Sequence, residues 1–301
     1  NEYYTVREDL IWRGRANVLD GQFEATFVVP KDISYRNESG RISAYAAHPN
    51  GQALGFTENV VVGGTAQGFG DDDEGPEIRL FLNDTTFVSG EMTGPNPRLI
   101  VQLFDESGIN TVGAGVGHEI LLTFNDNDQD FVDLNRFYES EADSYQRGRI
   151  EYRIEHDLNS GMNSLSVRAW DVANNSSTER LDFFVGESET LTLRDVFNYP
   201  NPTSGRTRFV FQHNQPSGTP ARVQVRIYSL SGRPIRTIRT EEALPSGIFT
   251  SGTIQIPWDG RDDDLGLLAS GVYFYRLRVE IEGADGDRQV SEHIDRIAII
   301  R

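Results

Sequence analysis

The chain has 301 residues, with 46 Asp and Glu against 28 Lys and Arg, a formal net charge of −18 and no cysteine. That balance excludes a nucleic-acid partner, whose phosphates must be met by clustered cations. The missing cysteine excludes disulfides, thiolate metal sites and a cysteine nucleophile within these residues. With 37% hydrophobic and 10% aromatic residues the chain can fill packed cores, and its length fits two domains, or three if they are small β-sandwiches.

Strand signals start early. Phe23, Ala25, Phe27 and Val29 alternate ahead of Pro30, and Ile42, Ala44 and Ala46 repeat the pattern, as a strand with one buried face requires. Residues 63–76 are glycine-rich and then acidic, the composition of a linker. In the next stretch, residues 130–145 could hold at most a turn or two of helix. A second boundary falls at residues 186–190, so the predicted modules are 1–65, 76–186 and 190–301. The first is too short to close a sandwich alone, and its missing strands are expected upstream of Asn1 or on a neighbour. The chain begins Asn1-Glu2-Tyr3-Tyr4 with no initiator methionine or signal peptide, as expected of a piece of a longer exported protein. No apolar run approaches the roughly 20 residues that span a bilayer.

The last module has the clearest pattern. Pro200 and Pro202 predict an extended lead-in segment. Val223, Val225 and Ile227 alternate with Gln224, Arg226 and Tyr228, and Ser231-Gly232 closes that strand with a turn. Ser270-Gly271 opens a strand in which Tyr273, Tyr275, Leu277 and Val279 share a face. Short strands between Gly, Asn, Asp and Pro clusters predict an all-β chain of tandem Ig-like sandwiches.

Candidate sites are few. Asp126, Asp128 and Asp130 stand at alternate positions, as in a calcium loop. An EF-hand would need glycine where Phe131 stands and glutamate where Phe137 stands, so the pattern favours an acidic hairpin loop and no metal. In residues 258–264, Trp258 is expected in the core, with Asp259 bonding turn amides. His48, His118, His156, His213 and His293 share no ligand spacing, no serine sits in a G-x-S-x-G elbow, and Glu151 with Glu155 lacks a cleft signature. No catalytic constellation and no cofactor site is expected.

The motifs at 197–202, 225–233 and 269–277 resemble, in their order, the C-terminal sorting domains of type IX secretion in Bacteroidetes-type bacteria and the related FlgD-like Ig modules. Residues 75–84, 103–113, 115–120, 137–138, 143–148 and 169–177, with 27–33, resemble the region after the peptidase domain of type IX secretion sortases. These belong to the gingipain-type cysteine peptidase family. The resemblance implies a parent protein on the cell surface, associated with the outer membrane and with other type IX components. It would cleave sorting domains from cargo and join the cargo to a lipopolysaccharide anchor. The catalytic Cys and His cannot be carried over, because this chain lacks that domain. The resemblance further implies that the last module is retained and docks on an outer-membrane β-barrel of the PorV type. Ile297, Ala298, Ile299, Ile300 and Arg301 are read both as the last strand of the sandwich and as the docking strand, since a terminal strand can pair on one edge and present the other. A cargo protein with a cleavable sorting domain is one rival. A carbohydrate-binding module, for which Tyr3, Tyr4 and Trp12 form the only early aromatic cluster, is another.

Overall fold

The computed structural model describes residues 11–31, 38–62, 72–111, 117–186, 190–250, 252–283 and 286–301. Tyr3, Tyr4 and the linker residues 63–71 and 187–189 lie outside them. The chain forms two compact units, one of residues 1–80, 100–152 and 165–180, the other of residues 81–99, 153–164 and 181–301.

The sequence reads as strand wherever apolar residues alternate, and alternation proves necessary but insufficient. Residues 23–30 are not a strand: only the Leu19–Gln22 bridge forms beside them, and Phe23, Phe27 and Val29 stay exposed. No partner strand reaches them among the described residues. Trp12 stacks on Phe27 at 5.0 Å, and the Lys31 amide donates to the Val172 carbonyl at 3.1 Å. The second alternating run does pair. Strand β1 (Glu38–His48) and β2 (Gly51–Val62) form an antiparallel hairpin closed by a two-residue turn, with a register shift between Gly40 and Ile42.

Nine strands follow: β3 (Glu77–Leu82), β4 (Met92–Thr93), β5 (Arg98–Phe104), β6 (Leu121–Phe124), β7 (Asn127–Asp133), β8 (Tyr138–Ser140), β9 (Arg147–Arg153), β10 (Gly161–Trp170) and β11 (Ser176–Val185). They make one sheet in the order β3-β5-β9-β8 and another in the order β4-β11-β10-β6-β7. The β4–β11 pair is parallel and the other pairs with an assigned register are antiparallel. Alternate residues are buried, Ile78, Leu80 and Leu82 on β3 and Leu165, Val167 and Ala169 on β10, the signature of sheets with one face against a core, while β5 buries Leu99, Ile100 and Val101 in succession.

The terminal strands are β12 (Leu193–Tyr199), β13 (Thr207–His213), β14 (Ala221–Tyr228), β15 (Pro234–Ile238), β16 (Thr253–Trp258), β17 (Gly271–Glu282) and β18 (Arg288–Ile299). A four-residue helix, α1 (Thr240–Ala243), follows β15. Sheets β12-β13-β16 and β15-β14-β17-β18 enclose Phe209, Phe211, Val223, Val225, Ile256 and Tyr275. The strand faces predicted for β14 and β17 are the faces seen. Gly232 takes φ +81°, and its amide donates to the Ser229 carbonyl at 2.9 Å, the left-handed turn that glycine adopts without steric penalty. The proline segment departs from the extended form: the peptide bonds before Pro200 and Pro202 are cis, and residues 200–202 bend. The Pro200 carbonyl accepts the Thr207 hydroxyl at 2.9 Å.

Candidate functional site

β18 is the edge of its sheet, and the bend after β12 covers half of that edge. Asn201 Nδ2 donates to the Arg296 carbonyl and Asn201 Oδ1 accepts the Ala298 amide, both at 3.0 Å. Thr203 exchanges two backbone bonds of 2.9 Å, with the Ala298 carbonyl and the Ile300 amide. The even-numbered residues of β18 therefore turn their backbone groups outward. These groups are satisfied from Arg296 onward, while those of Val290, Glu292 and Ile294 meet no partner among the described residues. Ile297 and Ile299, expected to dock, are core residues at 0% and 2% exposure. Ala298 is half-buried, Ile300 is exposed, and the Arg301 amide donates to Ser270 Oγ at 2.9 Å.

Of the two acidic segments singled out by sequence, 258–264 holds a turn, whereas in 126–130 only Asp126 lies in a turn and Asp128 and Asp130 stand on strand β7. Asn125 and Asp126, at φ +50° and +56°, connect β6 to β7. Asp126 pairs with Arg180, Asp128 is exposed, and Asp130 is half-buried. Trp258 is buried and donates from Nε1 to the Arg261 carbonyl at 3.0 Å, while Asp259 Oδ1 accepts the Arg261 amide at 3.2 Å.

Carboxylates do converge elsewhere. Asp72, Asp105 and Asp171 each bring an oxygen within 4.8 Å of the others. The Ile109–Asp171 bridge sets the turn after β5 beside the turn after β10. Asp105 Oδ1 accepts the Ser107 and Gly108 amides at 2.8 and 2.9 Å. Asp171 accepts the Asn175 amide at 2.7 Å and Asn175 Nδ2 at 2.8 Å. Asn175 Nδ2 also donates to the Asp72 carbonyl at 2.9 Å, and Ser107 Oγ bonds the Asp72 carboxylate. Among the described residues none of the three carboxylates pairs with a cationic side chain. Burial pushes the Asp105 carboxyl up to about 6, the Gly108 amide opposes this, and Asp171 adds repulsion. Burial also raises Asp171. Calcium takes about six to eight oxygens, whereas here the inner oxygens are engaged by turn amides. The arrangement suits a knot of turns in which the Asp105 and Asp171 carboxyls keep their protons to higher pH than free carboxyls do. Its sequence signal is Asp-x-Ser-Gly at 105–108 and Asp-x₃-Asn at 171–175, two Asx-type turns whose proximity no local pattern reveals.

A seam of buried polar groups runs through the second unit. Glu91 Oε2 accepts the Val88 amide at 2.9 Å and the side chain also takes the Thr253 amide; burial raises its pKa. The Gly186 amide donates to the Thr93 carbonyl at 3.1 Å. Asn214 Oδ1 accepts the Thr192 amide at 2.9 Å, and its Nδ2 donates to the Thr190 carbonyl at 2.8 Å. A side chain at Gly252 would run into the Glu91 carboxylate, and one at Gly186 would crowd Met92 and Asn214.

Fold and turns together define a class: an all-β protein of antiparallel sandwich modules, with no helix among the described residues long and apolar enough to cross a membrane. No family model matches the chain, and no curated protein matches it. Among solved structures it is similar to the crystal structure of dimeric latent PorU from Porphyromonas gingivalis, at 31% identity over 94% of this chain, with a TM-score of 0.39. The chain spans 26% of the length of that protein.

Proposed function

We propose that the chain is a non-catalytic scaffold and docking region of a PorU-like type IX secretion sortase, organised as modules 1–65, 76–186 and 190–301 and held at the cell surface. The order of the sequence motifs suggests the family. The observation that carries the scaffold role is the seam. Gly186 and Thr190 are both anchored, to Thr93 and to Asn214, and only three residues separate them. A cleavable sorting domain needs an accessible stretch there, and a protease must draw several residues out in extended form. The anchored ends and the short interval between them support retention of the last module over the cargo reading. Docking on a PorV-type outer-membrane barrel falls to the open half of the β18 edge, Val290 to Ile294, where an incoming strand would find unpaired backbone groups.

Two measurements test this. The mature surface protein should keep the mass of the retained module; a form ending near residue 190 would overturn the scaffold role. Ile294→Pro removes an outward amide without touching the β17 ladder, so it should abolish co-purification of the barrel. Unimpaired co-purification would refute docking at this edge.

A further inference from the structure

The outer face of the terminal sheet carries charge opposite in sign to the chain as a whole. Antiparallel register sets its residues in rows: Arg222–Glu280–Val290, Gln224–Arg278–Glu292, Arg226–Arg276–Ile294 and Tyr228–Phe274–Arg296. With the Glu282–Arg288 pair that continues this face, six arginines stand there against three glutamates, on a chain of net charge −18.

The two ends of this face differ. At the first, Glu280 is held by Arg288 and lies 3.6 Å from both Arg222 and Arg278, and Glu292 binds Arg278 at 2.6 Å. With Glu282 opposite Arg288 in the next row, three arginines meet three glutamates and the charges there cancel. At the second, half-buried Arg226 faces half-buried Arg276 directly across the ladder. Arg276 lies 3.9 Å from Glu292, which Arg278 already holds. The side chains of Arg226 and Arg296 have no ion pair among the described residues. Like charges directly opposite on a sheet are destabilising, and no carboxylate of the sheet reaches between these two.

We propose that this end of the face docks an acidic segment of another polypeptide. Carboxylates of that segment bridge Arg226, Arg276 and Arg296, and its apolar side chains lie on Tyr228, Phe274 and Ile294. Guanidinium groups match carboxylates in a planar, two-bond geometry and stack on aromatic rings. An anionic polysaccharide is the poorer fit, because its hydroxyls need acceptors and Glu280 and Glu292 are occupied by arginines. The acidic remainder of the chain repels such a segment elsewhere, which fixes where it lands.

The full chain should bind a fluorescent random copolymer of glutamate and tyrosine, and the affinity should fall as salt rises from about 50 to about 300 mM. Arg226→Gln combined with Arg296→Gln should weaken binding at least about tenfold, whereas Arg222→Gln, at the neutralised end, should change it less than about twofold. The melting temperature of the double variant should stay level or rise, since a like-charge pair is relieved. Should the double variant melt lower, Arg296→Gln alone, on the exposed edge strand, should still weaken binding about threefold. Three results would overturn the proposal: no binding at low salt, equal loss in Arg222→Gln, or dextran sulfate binding as tightly with the same dependence on Arg226.

Discussion

Asp105→Asn should stabilise the first unit near neutral pH. Burial moves the Asp105 carboxyl from 3.8 to about 6, so ionising it in the fold costs about 3 kcal/mol at roughly 1.4 kcal/mol per pH unit. The folded carboxyl keeps its proton to higher pH than the unfolded one. Stability is therefore full below about pH 4, falls as the pH rises through the folded pKa, and stays at the lower level above it. Asp171, raised by the same cause, adds to the trend. Asparagine keeps an oxygen for the Ser107 and Gly108 amides, at 2.8 and 2.9 Å in the parent, and never ionises. The variant should match the parent near pH 4 and exceed it near pH 7.5 by up to about 3 kcal/mol. Hydrogen exchange resolved to peptides covering 100–111 and 165–175 isolates the unit that carries the cluster, where global melting of a multi-unit chain would blend several transitions. A variant less stable than the parent near pH 7.5, with the loss appearing only when calcium is present, would refute the proton-knot account and show a cation holding the carboxylates charged.

Three further outcomes are expected. His213 is buried against Phe249 and its pKa is lowered to about 4; stability of the second unit should be full above about pH 6.5 and be lost as the pH falls through 4, by about 3 kcal/mol, as urea melts followed by Trp258 fluorescence would record. Ile297→Ala should destabilise the terminal sandwich by about 2–5 kcal/mol, and Ile294→Ala, on the exposed side of the same strand, by about 0.5 kcal/mol or less, both read from denaturant midpoints. Asp128→Ala should leave the melting temperature unchanged with or without calcium, whereas a calcium-dependent rise in the parent that the variant loses would restore the loop as a metal site.

Much of the terminal sandwich is legible residue by residue. Val223, Val225 and Ile227 on β14, and Tyr275, Leu277 and Val279 on β17, are buried as their alternation requires. Side-chain direction in a strand is a local property of the backbone, and the Asp259 and Ser231-Gly232 turns are equally local. Residues 23–29 carry the same alternation and form no strand, because a strand also needs a partner for its backbone groups, and that partner is not encoded in the segment itself.

What sequence by itself determined is therefore the all-β class, the faces of β14 and β17, the turns at 231–232 and 259–261, and the absence of a thiol; on β1 the expected buried face is missing, with Ile42 exposed although the strand pairs. Tertiary structure alone decided which edge of the molecule is open and where its charges gather. Asn201 and Thr203 close the end of β18 from about 95 residues away along the chain, while Ile297 and Ile299 turn their side chains into the sandwich core as residues of its last strand. Asp105 and Asp171 meet only because Ile109 bridges to Asp171, and Arg226 faces Arg276 only through the register of β14 on β17. Each of these depends on pairing between distant segments. Period and spacing describe what a residue does to its own neighbourhood, and they are blind to the partner that sheet pairing brings across.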